Sequence, residues 1–281
     1  KHQCKSGTDQ ILLSAEQLIP EGESTPLKIK DYFWSSEKDK VLIFTNTRRV
    51  WRYHTQGDYW VYDFNKKELM QLAKNLPVSS TKFAKFSPDG KQVAYVSKRN
   101  IYVENLESHK IKQVTQDGGE FIINGTFDWV YEEELSLRDG FRWSPDGSRI
   151  SYWQQNTKGV GTFYMVNNLD SIYPTLIPIP YPKVGTTNPS AKIGVYDFNN
   201  SKTTWMDIPG DSRNNYLARM DWAESSEELI IQQLNRKQNS NKVYLADAQS
   251  GSSKVVHHEV SDTWLEVNDD LSWLNNGKEF T

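Results

Sequence analysis

Apolar and polar positions alternate along much of this chain. Val93 and Tyr95 fall on one face of a period-2 segment and Gln92 and Ala94 on the other, which predicts a strand with one buried face. That segment follows Phe86-Ser87-Pro88-Asp89-Gly90, and the same order recurs where Trp143-Ser144-Pro145-Asp146-Gly147 leads into Ile150-Ser151-Tyr152-Trp153. Three weaker copies share the register. Trp34 leads through residues 35–40 into Val41-Leu42-Ile43, Trp222 through 223–228 into Leu229-Ile230-Ile231, and Trp273 through 274–279 into Phe280. In all five, the first apolar residue of the strand stands seven positions after the aromatic. A further strand ending in Asp or Asn follows four of them: Trp60-Val61-Tyr62-Asp63, Tyr102-Val103-Glu104-Asn105, Val195-Tyr196-Asp197 and Tyr244-Leu245-Ala246-Asp247. Polar segments such as Ile111-Lys112-Gln113-Val114-Thr115 supply a fourth strand.

An aromatic, a tight turn, a hairpin and an outer strand, repeated every ~50 residues, describe blades of a β-propeller. Turn signals also recur in β-sandwiches, but five units in one register favour the propeller. The predicted fold is therefore all-β, an incomplete propeller of about four blades plus part of a fifth, spanning residues 1–281. Its aromatics stand 52, 57, 79 and 51 residues apart. Blades need about 40–50 residues, so insertions are expected near 45–58, 116–140 and 154–192. Such insertions collect on one face, often the binding face.

Composition narrows the function classes. Lys and Arg total 33 against 36 Asp and Glu, a net charge of -3, without the basic stripe of a nucleic-acid module. No apolar run approaches the ~18 residues of a membrane helix. A single cysteine, Cys4, excludes an internal disulfide framework and a multi-cysteine zinc site. The 35 aromatics suit a β-rich protein. The chain begins at Lys1 without Met and ends at Phe280-Thr281 inside a predicted strand, so a piece of a longer polypeptide is expected.

Three segments could carry chemistry. Asp128-Trp129-Val130-Tyr131-Glu132-Glu133-Glu134-Leu135 interrupts the β pattern, with Asp128 a plausible N-cap and three glutamates suited to the start of a helix. As a plain surface helix it needs no ligand. Three adjacent carboxylates nevertheless repel one another, and a cation such as a peptide α-ammonium relieves that. Consecutive helical residues point about 100° apart, so two glutamates converge only on a ligand between their directions. The first insertion holds Arg48-Arg49-Val50-Trp51-Arg52, either solvated loop basics or a fork for a carbonyl or carboxylate. The third holds the stretch from Ile179 to Pro189, where three prolines and one glycine read as a rigid loop.

Other chemistry is missing. There is no G-x-S-x-G elbow, since Gly210-Asp211-Ser212-Arg213-Asn214 lacks the second glycine. None of the five histidines has metal-ligand spacing, and His257-His258 reads as solvated on a polar strand; no glycine-rich phosphate loop occurs. No metal or cofactor is therefore expected. Asn124-Gly125-Thr126 and Asn199-Asn200-Ser201 form glycosylation triplets of the kind that arise by chance.

The segment from Asp128 to Glu134 matches, without a departure, the D-W-x-Y-E-E-E signature of the dipeptidyl peptidase IV family of prolyl-oligopeptidase-type serine peptidases. Tyr181-Pro182-Lys183-Val184-Gly185 with Asn188-Pro189 resembles that family's Y-P-K-x-G-x-x-N-P segment, and Trp51-Arg52, ten residues before Tyr62-Asp63, its W-R placement. The resemblance covers residues 30 to 281 and implies an eight-bladed propeller that caps a C-terminal α/β-hydrolase domain absent from this chain. It implies that Glu133 and Glu134 hold the free N-terminus of a peptide substrate, that Glu132 supports them, and that Arg52 binds a substrate carbonyl. The implied activity is removal of Xaa-Pro and Xaa-Ala dipeptides by a serine exopeptidase, with no catalytic residue in this chain, so that the piece alone is inactive. A non-catalytic propeller binding module and a prolyl tripeptidyl peptidase relative are the alternatives. The resemblance also implies contact with the protein's own hydrolase domain, a homodimer with residues 199–215 as candidate arm, and a periplasmic or secreted bacterial location. One departure is visible: Ser136-Leu137-Arg138-Asp139 after Leu135 lacks the pocket aromatic expected there.

Overall fold

The structure, a computed structural model, describes residues 2–274 and 279–281. The turn at 275–278 of the fifth repeat lies outside the described residues. The chain forms two compact units, residues 1–97 with 102–112, and residues 98–101 with 113–281.

The first unit opens with a short hairpin, β1 (His2–Gln3) and β2 (Thr8–Asp9), and a 3₁₀ turn at Glu16–Leu18. β3 (Asp31–Trp34), β4 (Lys40–Val50), β5 (Tyr53–Asp63) and β6 (Glu68–Gln71) then form an antiparallel blade. The second blade is β7 (Thr81–Phe86), β8 (Gln92–Ser97), β9 (Asn100–Asn105) and β10 (Ile111–Gln113). The two share one sheet because Gln56 and Gly57 of β5 pair with Lys82 and Thr81 of β7.

The repeated turns work by local chemistry. Ser87 Oγ donates to Asp89 Oδ1 at 2.6 Å, and Ser144 Oγ to Asp146 Oδ1 at 2.6 Å, while Gly90 and Gly147 supply φ of 67° and 73°. In the weaker first copy Ser35 donates to Asp39, and Lys38 takes the glycine's place at φ 57°. The leading aromatic packs across the blade: Trp34 stacks on Phe64 at 5.5 Å, and Trp143 on Phe198 at 5.5 Å. The Asp or Asn that ends each third strand caps the next turn. Asp63 accepts from the N–H groups of Asn65 and Lys66, Asn105 from Glu107 and Ser108, Asp197 from Asn199, and Asp247 from Gln249 and Ser250.

Three expectations are corrected here. β8 is not half-buried, because Val93, Ala94 and Tyr95 all have no exposed surface; a strand inside a blade is covered on both faces. The excess near 45–58 is not a loop. β4 and β5 simply continue, with bulges at Thr45/Arg48 and Arg48/Arg49, to a two-residue turn at Trp51-Arg52. The excess expected at 154–192 is narrower, since the strands on either side run to residue 156 and resume at residue 190.

The second unit holds the third blade: β11 (Ile122–Asn124), helix α1 (Trp129–Glu134), β12 (Phe141–Trp143), β13 (Arg149–Asn156), then β14 (Thr162–Asn167), β15 (Thr175–Pro180), β16 (Ser190–Asp197) and β17 (Lys202–Trp205). The sheet order is β11-β13-β16-β17, with β12 also on β13, so β11 and β12 are two halves of one broken strand. Asn124 faces Gln154 and Phe141 faces Tyr152, which leaves Trp153 opposite the break. There Gly125 N–H donates to Trp153 O, Trp153 N–H to Gly140 O, and Gly140 N–H to Gly125 O, at 3.1, 3.0 and 3.0 Å. Residues 126–139 leave and return through this neck. Asn124 is fully buried, with its amide donating to Asp117 Oδ1 at 2.9 Å, so its triplet is no glycosylation site.

β14 and β15 pair only with each other, and they expose Leu169 (93%) and Ile172 (98%) at the connecting turn. This hairpin, rather than 199–215, is the separate arm of the unit; Asn199 and Ser201 merely close the β16–β17 turn onto Asp197. The fourth blade is β18 (Asn215–Trp222), β19 (Glu228–Asn235), β20 (Ser240–Asp247) and β21 (Ser253–Val260), and β22 (Trp273–Leu274) with β23 (Glu279–Phe280) starts a fifth. His257 and His258 lie on exposed β21, His258 within 2.8 Å of Ser240 Oγ. The fold is thus the all-β propeller expected from the repeats. The unit's core joins Trp153 and Tyr131 with Ile193, Leu217, Leu229 and Ile231.

The neck tolerates no side chain. A Cβ on Gly140 would stand 2.7 Å from the carbonyl carbon of Gly125 and 2.9 Å from Thr126 N, whereas one on Gly119 meets nothing within 4 Å. Gly140→Ala is expected to lower stability by about 1–3 kcal/mol and Gly119→Ala by far less, as measured by urea denaturation.

Candidate functional site

The glutamate turn is built from the neck upward. Asp128 caps α1, its Oδ1 accepting from Tyr131 N–H at 3.2 Å, as its sequence position predicts. Gln155 on β13 grips the same residue twice, taking the Asp128 N–H on its Oε1 at 2.8 Å and donating Nε2 to Oδ1 at 3.3 Å. Tyr131 points into the core, where its ring lies 5.6 Å from Phe127 and its hydroxyl accepts from Leu217 N–H at 3.1 Å. Burial pushes that phenol above its ordinary range. At the far end, Arg219 donates Nη1 to Leu135 O at 2.9 Å and is itself held by Asp269. Leu135 and Leu137 are both buried, so the positions after the glutamates serve the core.

Helical geometry then sorts the three glutamates. At 3.6 residues per turn, Glu133 points about 160° away from Tyr131 and so away from the core. Glu132 points about 100° from Tyr131 on the other side from Glu134, and its Oε1 lies 3.8 Å from Arg138 Nε. Glu132 and Glu133 are half-buried and Glu134 is exposed. The direction midway between Glu133 and Glu134 is close to that of Val130, one turn earlier. Helical side chains lean toward the N-terminus, and Glu134 lines a cavity together with Trp129 and Val130.

That side of the helix borders a cavity of about 860 Å³. Trp129, Val130 and Glu134 line it from α1, and Tyr181, Lys183 and Asn188 from the proline-rich loop. Trp129 and Tyr181 are in ring contact at 4.4 Å, and Phe163 of β14 joins Tyr181 at 5.7 Å. The loop is fixed at its base, where Asn188 Nδ2 donates to Tyr216 OH at 3.1 Å and Arg213 Nη1 to Asn188 O at 2.6 Å. Two motifs about fifty residues apart in sequence thus meet at one cavity.

The structure brings Glu132, Glu133 and Glu134 together on one turn. Arg52 belongs to the other compact unit, at the tip of the β4–β5 hairpin, where Arg49 Nε donates to its carbonyl at 3.3 Å. The neighbouring Trp51 is held at φ 53°, a conformation bulky residues rarely adopt. Sequence reasoning overlooked Arg138 as the partner of Glu132, Arg219 as the clamp on the helix end, and Phe163 as a cavity wall. Arg138 was readable as a cation four residues after the last glutamate; nothing local marks the other two. Among the described residues no cluster of three His, Cys, Asp or Glu could hold a metal ion, and no helix is long and apolar enough to cross a membrane.

Fold and site define a class: a propeller segment whose third blade breaks its inner strand to present a glutamate-bearing turn beside an aromatic cavity. The chain belongs to the family described as the dipeptidyl peptidase IV (DPP IV) N-terminal region, whose profile matches residues 35–281. It is 31% identical over 267 residues to dipeptidyl aminopeptidase B of Saccharomyces cerevisiae, covering 92% of this chain and 32% of that protein. It is also similar to the crystal structure of Porphyromonas gingivalis dipeptidyl peptidase 4, with a TM-score of 0.88 and 26% identity over 98% of this chain and 39% of that one. The chain spans about a third of the length of the curated relatives it matches.

The cap has a pH signature. Burial holds the Asp128 carboxyl up at about 6, and its Oδ2 has no hydrogen-bond partner among the described residues to favour the charge. A carboxyl raised in the folded state stabilises fully below its unfolded pKa of about 4, and that contribution is lost as pH rises through the folded value near 6. Between those limits the change is about 3 kcal/mol at most. Asp128→Asn, which cannot ionise, is expected to remove this part of the decline; unfolding free energies of both forms at pH 4 and pH 7 measure it.

Proposed function

We propose that this chain is the substrate-gating propeller of a serine dipeptidyl peptidase, which removes Xaa-Pro and Xaa-Ala dipeptides from peptide N-termini. The observation that supports the reading is the glutamate turn at the edge of a cavity, where Glu134 lines the same space as the Tyr181-Pro182-Lys183 loop and Glu133 is its neighbour on the turn. An α-ammonium between the two carboxylates gains charge-assisted hydrogen bonds. With the N-terminus anchored there, only a bond at a set distance along the peptide reaches the nucleophile, which is catalysis by orientation. Glu132, paired with Arg138, is the supporting neighbour rather than a ligand. Arg52 is assigned to a substrate carbonyl on the match of Trp51-Arg52 alone.

The nucleophile and its partners belong to a C-terminal hydrolase domain outside this chain. Self-association belongs to the same proposal, supported by the exposed apolar side chains of the β14–β15 hairpin. So does a periplasmic or secreted location, which rests on the family resemblance alone.

In the full-length protein, Glu133→Gln and Glu134→Gln are each expected to lower kcat/KM on Xaa-Pro substrates by about 10- to 100-fold, the worth of one hydrogen bond to a charge. N-acetylated substrates, which lack the ammonium, should be cleaved poorly by all forms. Variants that keep wild-type kcat/KM overturn the anchor.

A further inference from the structure

We infer that Arg219 is a positioning residue for the proposed anchor: from the neighbouring blade it fixes the carbonyl end of the glutamate turn and so sets the direction of Glu134. The inference rests on the ammonium-anchor reading. A helix leaves its last carbonyls without intrahelical partners, and α1 has only six residues. Leu135 follows Glu134 directly, and its carbonyl accepts from Arg219 Nη1 at 2.9 Å. Fixing that peptide limits the rotation of the backbone that carries Glu134, which lines the cavity. Asp128 and Gln155 hold the start of the turn, and Arg219 supplies the mount at its other end.

A bulge in β18 delivers the side chain. Across the β18–β19 ladder Leu217 faces Gln233 and Arg219 faces Gln232, so Ala218 is an extra residue. Strict alternation would keep Arg219 on the face of Leu217. The extra residue turns it to the other face, while Met220 and Trp222 stay with Leu217 in the core. At the same bulge Leu217 N–H donates to Tyr131 OH at 3.1 Å, so one irregularity holds the turn twice. The guanidinium is itself fixed. Nη1 also donates to Ala218 O at 2.6 Å, Nη2 to Asp269 Oδ2 at 2.9 Å, and Nε to Asp269 Oδ1. An arginine makes this two-pronged pairing and a lysine cannot. Gln232 grips the residue before Asp269, donating Nε2 to Asn268 O at 2.6 Å and accepting on Oε1 from Asn268 N–H at 3.1 Å. The hydrogen bond from Arg219 holds the Asp269 carboxyl below the ordinary carboxylate range, so the pair is charged at neutral pH. With the Asp269 side chain 64% exposed, the pair adds little to stability. Its effect is on where the guanidinium sits.

The test is a double-mutant cycle in the full-length protein, read as kcat/KM on an Ala-Pro chromogenic amide. Arg219→Ala is expected to lower kcat/KM by about tenfold, and Arg219→Lys, which keeps the charge without the fork, by less. Asp269→Asn changes an exposed side chain and should cost about two- to fivefold while the urea unfolding midpoint stays unchanged. In a Glu134→Gln background Arg219→Ala should cost less than about threefold, because a residue that acts through Glu134 has less left to position. Equal losses in both backgrounds assign Arg219 to stability alone and overturn the inference, as does an Arg219→Ala variant with wild-type kcat/KM. The two readings fail separately. If Glu134→Gln lowers kcat/KM and the Arg219→Ala loss simply adds to it, the anchor stands and the positioning role fails. If Glu134→Gln keeps wild-type kcat/KM, the anchor fails and the positioning role falls with it.

Discussion

The three backbone hydrogen bonds that tie Gly125 and Gly140 to each other and to Trp153 let a strand be interrupted without losing its place in the sheet. A break inside a buried sheet would leave N–H and C=O groups without partners. Here the two glycines use each other and Trp153 to satisfy them, and β12 resumes in the register that β11 left. The constraint that follows is steric, since the approach is too close for any Cβ on Gly140. In return, residues 126–139 are mounted on the sheet with both ends fixed. Trp153 seals the neck from below, its ring 5.2 Å from Phe127 and its indole N–H donating to Leu217 O at 2.9 Å. A loop of the same length with free ends would lose its orientation to conformational entropy.

With the turn mounted rigidly, four carboxylates within seven residues take different roles from their surroundings. Asp128 is buried under the helix and commits its Oδ1 to the cap and to Gln155. Glu132 is steered toward Arg138, which relieves part of the repulsion along the turn. Glu133 points away from Tyr131, and Glu134 lines the cavity. The helix has six residues, too few to be stable alone. Tyr131, Arg219 and Gln155 hold it from three directions, so its orientation comes from tertiary contacts rather than helix propensity. Those contacts decide that Glu134 faces the cavity.

The blades were legible because their chemistry is local. Aromatic, Ser-Pro-Asp-Gly turn and Asp-ended strand sit within a few residues of one another, and each link is a short-range hydrogen bond or a stack across one hairpin. The capped helix was legible for the same reason. Lys38 shows where this fails: it occupies a left-handed position that reads as glycine in the stronger copies, and the sheet around it imposes what its own preference would not. Ala94 shows another limit. Period-2 alternation predicts one buried face, and only the packing of the blade reveals that both are covered. The insertion limits were misjudged because a strand that continues past its blade keeps the same alternation, leaving no sequence signal at the end of the blade.

The site itself was half legible. The glutamates and the proline-rich loop each stood out, yet no pattern in the chain says that they share a cavity. Their meeting depends on β13 and β16, which pair over eight residues and so bring the base of the proline-rich loop back beside the neck. This has an electrostatic consequence for the proposed anchor. Carboxylates beside Trp129, Tyr181 and Phe163 stand against low-polarity surface on one side, where a charge attracts its partner more strongly than in water. Aromatic walls placed beside carboxylates therefore strengthen the hold on an ammonium.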